Sequence, residues 1–176
     1  MDINSYKKTK CLEFSEDCEI KLFEIFMAIN KNYGATYMSY TFDRSDVVRF
    51  SFRTDSQWAD LYHNEQISGK PIIELCPLDV VSRERKNIFI MWDLYSHKIQ
   101  PKTSREIMGM REDAGLSHGL TLSTYFGAHH DAIAIATEDR KNDLAVNVLS
   151  EDCGDYLKKC LVECRKQVID MFDKIT

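Results

Sequence analysis

The chain has 176 residues, of which 44% are hydrophobic and 29% are charged, and its formal net charge is −5 at pH 7. This length and composition exclude a disordered chain and predict one domain, residues 1–176, with a core large enough to enclose a small ligand. Because clustered Lys and Arg are needed to neutralise a nucleic-acid backbone, the acidic balance excludes an extended DNA-binding surface.

The first half of the chain predicts a helix, a hairpin and a second helix. Ser15, followed by two acidic residues, is typical of a helix start, with its side chain as the cap, and apolar residues keep helical spacing until Gly34 ends the helix. Residues 36–42 and 47–53 alternate in the manner of strands and predict a hairpin. We expect a helix over 54–66 directly after it.

The second half begins with a segment, 67–91, that we expect to be an ordered loop over a pocket, because Gly and Pro interrupt it while its apolar residues favour burial. Residues 87–92 predict a short strand. A helix from Thr103 or Ser104 to residue 114 follows, ended by Gly115.

Residues 119–126 and 132–137 predict a second hairpin, and a helix from about Ser150 to the end of the chain repeats apolar residues on one face. We expect this helix to dock on the sheet or to pair with a second copy. The element order predicts an α+β sandwich with five short, mainly antiparallel strands rather than an alternating βαβ fold.

Three residues at helical spacing, Thr54, Trp58 and Tyr62, project a hydroxyl, an indole and a phenol from one face of the predicted helix. Aromatic side chains with polar tips suit a small amphipathic ligand. The alternative is that both aromatic residues belong to an ordinary core. Trp92 and Gly119, further along the chain, favour the ligand site.

Two motifs suggest catalysis or metal binding, and their context argues against both. Ser117 lies in a G-x-S-x-G sequence, but the hydrolase motif needs a strand before the serine and a helix after it, and here the order is reversed. His129, His130 and Asp131 are expected to form a polar turn rather than a metal site. We therefore expect no enzyme activity.

The six cysteines include no C-x-x-C pair, so we expect reduced, mostly buried thiols, with Cys160 and Cys164 packed in the core rather than bound to metal. No apolar run approaches the length of a membrane span, and the N-terminus lacks a signal-peptide core. We expect a cytoplasmic protein with no cofactor, no metal and no membrane partner.

Four pieces of the chain stand in a characteristic order. They are Trp58 and Tyr62 on the helix after the first hairpin, Asp79 in a Pro-containing loop, Trp92 after an apolar run, and the segment 114–119 before the second hairpin. Together they resemble the autoinducer-binding domain of LuxR-type quorum-sensing regulators, over most of the chain. The resemblance implies an α/β/α sandwich with a five-stranded antiparallel sheet, similar to GAF and PAS sensor domains.

The resemblance also implies that an N-acyl homoserine lactone binds between the sheet and a helical layer. Trp58 would donate to the lactone carbonyl, and Asp79 would accept from the ligand amide, with Glu74 as a rival. Tyr62 and Trp92 would wall the lactone, and Ile, Leu, Met and Phe side chains would cover the acyl tail. Gly119 would allow close backbone approach. A polar residue on the second hairpin, Thr121 or Thr137, would assist.

The chain departs from the family pattern at two positions. Thr54 stands where many members carry a Tyr that reaches the acyl carbonyl, and Asp79 comes later than usual and precedes Val80 instead of a Pro. A different ligand, or a standalone LuxR-like or PAS/GAF-like domain that binds another protein or sequesters the signal, is therefore the alternative.

The resemblance further implies a homodimer, or a heterodimer with a LuxR-type regulator, whose ligand controls dimerisation and transcription. Members of the family contact DNA through a helix-turn-helix domain, which we do not find in residues 1–176. An excised sensor domain and a standalone protein both fit this sequence.

Overall fold

The computed structural model of the chain describes residues 10–45, 48–63, 88–92, 102–116, 118–126, 129–138, 144 and 153–173. Asp79, Glu74 and most of the predicted loop over 67–91 lie outside the described residues, as does Ser117. The backbone of Tyr62 is described, and its side chain is not.

Four helices and six strands make up the described fold. The helices are α1 (Glu16–Tyr33), α2 (Ser56–His63), α3 (Lys102–Asp113) and α4 (Cys153–Asp173). The strands are β1 (Lys10–Leu12), β2 (Tyr37–Ser45), β3 (Val48–Arg53), β4 (Ile88–Met91), β5 (His118–Phe126) and β6 (His129–Thr137). In these described helices, no stretch is both long and apolar enough to cross a membrane.

The strands form one sheet in the order β1-β3-β2-β6-β5-β4. Every neighbouring pair from β3 to β4 is antiparallel, which confirms the predicted α+β fold with a five-stranded antiparallel sheet. A sixth strand, β1, adds to the edge and runs parallel to β3. The sequence did not predict β1 because three residues are too few to show a period of two.

The predicted glycines stand at the ends of α1 and α3, whereas the capping hydrogen bond predicted at the start of α1 is absent. Gly34 adopts a left-handed conformation (φ 69°) and donates its N–H to Asn30 O at 2.7 Å, and Gly115 also has a positive φ of 75°. The predicted side-chain cap at Ser15 is wrong, because its hydroxyl makes no capping hydrogen bond. Asp55 instead caps α2, accepting from the Trp58 N–H through Oδ1 at 2.6 Å.

The main hydrophobic core lies between one face of the sheet and the α1–α4 pair. Large apolar side chains from the central strands pack there against the apolar faces of both helices. From the strands these are Met38, Tyr40, Phe42, Phe52, Leu120, Leu122, Ile133 and Ile135. Cys160 and Cys164 belong to this core, and burial raises the pKa of the Cys164 thiol, so the thiol stays protonated and packs as an apolar group. We call this side the helical face.

Candidate functional site

The opposite face of the sheet is built from small side chains. At the middle of β2, β5 and β6 no residue on this face is larger than threonine, and every one of them is buried. Together with one residue of β3, they form a surface that we call the small-residue floor. They are Ser39, Thr41, Ser51, Thr121, Ser123, Ala132 and Ala134.

Apart from Ile90 beside it, the small-residue floor does not supply the Ile, Leu, Met and Phe side chains expected to cover an acyl tail, so they would have to come from other elements. Successive strand residues point to opposite faces, and the large apolar residues of the central strands lie on the helical face, where they pack against α1 and α4. Ile90 on β4 is buried on the floor side, opposite Thr121. A surface of methyl and hydroxyl groups leaves more space above the sheet than leucine and phenylalanine side chains would.

Two rows of paired residues mark the ends of the floor. The first row is Tyr37, Ala136 and Gly119, with Trp92 beside Gly119, and the last row is Arg49, Asp43 and His130. Between Tyr37 and Asp43 the strand advances by six residues, or roughly 20 Å. We call these the tryptophan end and the ion-pair end.

Trp58 and Trp92 differ in how their indole N–H groups are used. Trp92 donates from Nε1 to Thr121 Oγ1 at 2.9 Å. Trp58 is 0% exposed, and its Nε1 has no hydrogen-bond partner in the part of the chain that the structure describes. The hydroxyl of Tyr37 is likewise buried without a partner among these residues. Because an unpaired buried donor costs free energy, both groups favour a ligand that accepts from them.

Arg111 on α3 lies against both tryptophan rings. Its Cζ is 4.4 Å from the centroid of the Trp92 ring and 5.6 Å from that of Trp58, and the residue is buried. A guanidinium over two indole faces is attracted to both, so Arg111 orients the two rings relative to each other. Arg111 could not be identified from the sequence, since nothing in the spacing of α3 indicates a cation facing inward.

Gly119 is the position at which β5 passes closest to Trp92. A Cβ at this residue would overlap the carbonyl oxygen of Ile135 and come within 3.0 Å of Trp92 Cε3. The close approach predicted for this glycine is therefore present.

We expect Gly119→Ala to lower the free energy of unfolding by about 1–2 kcal/mol, because the methyl group forces a shift of β6 or of the Trp92 ring. Urea denaturation would measure the change. Gly109 is the matched control, because a Cβ there meets nothing within 4 Å. An unchanged Gly119→Ala midpoint would contradict the close approach.

Thr54 does not share a helix face with Trp58 and Tyr62, because α2 begins two residues after it. Its hydroxyl accepts from Met38 N at 2.9 Å and donates to Met38 O at 3.2 Å. The predicted three-residue series is therefore wrong at Thr54. The contact with β2 could not be inferred from helical spacing, and it uses the hydroxyl proton that a ligand would need.

The two threonines considered on the second hairpin lie on different faces. Thr121 is on the small-residue floor, beside Trp92, whereas Thr137 alternates with Ala136 and so belongs to the other face. The register resolves an alternative that the sequence left open. Thr121 accepts from Trp92 and keeps its own O–H to donate.

A buried network occupies the ion-pair end. Arg49 donates from Nε and Nη2 to the two carboxylate oxygens of Asp43, at 2.7 and 3.0 Å. His130 donates from Nδ1 to Asp43 Oδ2 at 2.9 Å, and its Nε2 lies 2.7 Å from Ser123 Oγ. Burial alone would raise the pKa of Asp43, but Arg49 and His130 outweigh it and hold this pKa well below its usual range.

The polar turn predicted for residues 129–131 is wrong. These residues begin β6, and both His130 and Asp131 are buried. His130 bonds to Asp43 on the floor side, while Asp131 bonds to Arg165 of α4 on the helical face, so adjacent side chains diverge across the sheet. Partners this distant in the chain leave no local pattern. Among the described residues, no group of three metal-ligating side chains comes together.

Ser123, His130 and Asp43 are hydrogen-bonded in the same order as the serine, histidine and aspartate of a serine-hydrolase triad. Their surroundings differ from those of such a triad. β5 is paired on both sides, so the sheet uses the backbone N–H groups that would otherwise form an oxyanion hole beside Ser123. The carboxylate also pairs with Arg49. At the other serine motif, α3 ends before residue 117 and β5 begins after it, in the order opposite to a nucleophile elbow.

No protein-family model and no curated protein matches this sequence. Solved structures do match its fold. One is SdiA in complex with octanoyl-rac-glycerol, with a TM-score of 0.65 and 12% identity over 89% of this chain and 61% of that one. Another is SdiA of Escherichia coli, with a TM-score of 0.62 and 13% identity over 88% of this chain and 63% of that one.

A third match is CepR2 of Burkholderia cenocepacia, an N-acylhomoserine-lactone-dependent transcription factor of the LuxR family. Its TM-score is 0.55 at 13% identity, over 88% of this chain and 91% of that one. This chain spans less than two thirds of the SdiA chains that it matches. At these identities the likeness shows the fold, which is that of LuxR-type autoinducer-binding domains, as the resemblance in the sequence predicted.

Proposed function

We propose that this chain is the small-molecule sensor domain of a LuxR-type transcription regulator and binds an N-acyl homoserine lactone on the small-residue floor. The observation that carries the proposal is the indole N–H of Trp58, which is fully buried and unpaired among the described residues. This donor requires an acceptor, because the indole nitrogen cannot itself accept, and a ligand carbonyl supplies one.

In this proposal each residue of the tryptophan end has a role. Trp58 donates to the lactone carbonyl, Trp92 and Tyr62 wall the ring, and the free O–H of Thr121 donates to an oxygen of the acyl group. Gly119 keeps the backbone clear of Trp92. The acceptor for the ligand amide is Asp79 or Glu74.

The matched structures support an amphipathic ligand. SdiA was solved with octanoyl-rac-glycerol, and CepR2 depends on N-acylhomoserine lactone. Each of these two ligands consists of an acyl chain and a compact polar head group. The second candidate function is a sensor of the same fold for a different head group. It is favoured by Thr54, whose hydroxyl proton is used by Met38 and cannot replace the family Tyr.

We further propose that the domain acts without catalysis and works as a homodimer, or as a heterodimer with a LuxR-type regulator. Exposed apolar side chains on α1 and α4 support an interface between copies, and DNA would be contacted only through a helix-turn-helix domain. These side chains are Ile20, Phe23, Met27, Val162 and Ile169.

Thermal denaturation with a panel of acyl homoserine lactones tests the proposal. A ligand at about one hundred times its dissociation constant stabilises the fold by roughly 2.7 kcal/mol, which in a domain of this size raises the midpoint by about 5–10 °C. Monoacylglycerols of matched chain length serve as the comparison. A shift with acylglycerols alone would favour the second candidate function, and no shift with any lactone would reject the first.

A further inference from the structure

We propose that the ligand carries a second hydrogen-bonding group, at the end of its acyl chain remote from the head group, and that the hydroxyl of Ser51 binds it. This inference rests on the proposed function and specifies the ligand class for the same site. It assigns a polar, uncharged chain end, such as an alcohol or a ketone, in place of a plain alkyl tail.

The hydroxyl of Ser51 is the observation that carries the inference. Ser51 is 1% exposed, and its Oγ has no hydrogen-bond partner in the described part of the chain. Burying a hydroxyl without a partner costs free energy, so the unpaired hydroxyl of Ser51 needs an explanation. A valine or alanine would fill the same place in β3 without this cost.

The strand register places Ser51 on the floor, far from the tryptophan end. Ser51 pairs with Thr41, which in turn pairs with Ala132, so the three form one row across the small-residue floor. Thr41 is four residues from Tyr37, so this row lies roughly 14 Å along the strands from the first row. A ligand whose head group meets Trp58 reaches Ser51 only with the far part of its chain.

The surroundings of Ser51 suit a polar chain end better than a methyl group. The next row along the strands is the buried Arg49–Asp43 ion pair, with His130 beside it. Thr41, which pairs directly with Ser51 on β2, contributes another hydroxyl. A methyl group at this position would bury Ser51 Oγ without satisfying it. Because Arg49 and Asp43 neutralise each other, the complementary group is uncharged.

Isothermal titration of the full chain with two homoserine lactones of equal chain length tests the inference. One chain ends in a methyl group and the other in a hydroxyl, and the pair is repeated over a series of chain lengths. We expect the hydroxyl-ended compound to bind about 5–10-fold more tightly at the best length, because it supplies the hydrogen bond that Ser51 lacks.

The Ser51→Ala variant should bind both compounds equally, because the hydroxyl that distinguishes them has been removed. Without ligand it should unfold at the same temperature as the wild type or higher, since the unpaired hydroxyl has been removed. Ser39→Ala removes another hydroxyl of the floor, nearer the tryptophan end, and should keep the preference for the hydroxyl-ended compound.

Three outcomes overturn the inference, and they are distinguishable. Equal or tighter binding of the methyl-ended compound at every chain length rejects a polar chain end while leaving lactone binding intact. A preference that persists in Ser51→Ala rejects the role of Ser51. If neither compound binds the wild type, the proposed function fails, and this inference fails with it.

Discussion

Replacing Asp43 with Asn is expected to lower the free energy of unfolding by about 3–5 kcal/mol, the range for breaking a buried ion pair by removing one partner. Asp43 accepts from Arg49 and His130, and all three side chains are almost completely buried. The substitution keeps the shape of the residue but removes the carboxylate charge that faces the buried Arg49 guanidinium. Urea denaturation at neutral pH measures the loss.

The double variant Asp43→Asn, Arg49→Met is the matched control. Removing both charges should recover much of the lost stability, because the cost arises from keeping the guanidinium buried after the Asp43 carboxylate has been removed. A loss below about 1 kcal/mol in the single variant would show that the pair contributes little, as exposed ion pairs do.

The same network predicts a pH dependence. The pKa of Asp43 is held below its usual range in the folded chain, whereas in the unfolded chain it is near 3.9. The unfolded state therefore takes up the proton first, so the contribution of Asp43 is complete above about pH 4 and is lost as the pH falls below that value. The acid-induced loss of stability should be smaller in Asp43→Asn than in the wild type.

Trp58→Phe is expected to weaken ligand binding by about 1–3 kcal/mol, or roughly 5–150-fold, if the ligand is the proposed lactone. Phenylalanine keeps the aromatic bulk but leaves the buried ligand carbonyl without a donor. The unliganded chain should lose some stability from the smaller ring, but less than in Trp92→Phe, because the indole N–H of Trp58 has no partner there among the described residues. Calorimetric titration and thermal denaturation separate the two effects.

Trp92→Phe provides the contrast for this experiment. Its indole N–H is bonded to Thr121, so this variant should lose about 0.5–1.5 kcal/mol more stability without ligand than Trp58→Phe does. The same chemical change is thus expected to affect the free protein differently at the two positions. Unchanged affinity in Trp58→Phe would remove this residue from the ligand contacts.

Elements with local signals were predictable from the sequence. α1 and α4 show apolar residues at helical spacing over many turns, and Gly34 ends α1 in the left-handed conformation that glycine tolerates best. The two hairpins alternate with period two. The order of these elements and the resemblance to LuxR-type domains together predicted the five antiparallel strands. Trp58 and Trp92 were candidates because few indoles occur in this chain and both lie in the predicted pocket elements.

Only the tertiary structure showed which face of the sheet each strand residue lies on. Sequence alternation separates two sets of strand residues, but both the large set and the small set are buried, so hydropathy alone does not say where a ligand fits. The register assigns the large set to α1 and α4 and leaves the small-residue floor. It also assigns Thr121 to the floor and commits Thr54 to Met38.

The polar contacts of the site also depended on the tertiary structure. Asp43 meets His130 across 87 residues of chain, and Arg111 lies on the rings of Trp58 and Trp92 from a separate helix. The sequence determined the fold class and the aromatic part of the site, because periodicity, glycine ends and indole side chains are local properties. Strand pairing decided the ion pair, the floor and the unpaired Ser51 hydroxyl, because hydrogen bonds between distant residues exist only once the sheet has formed.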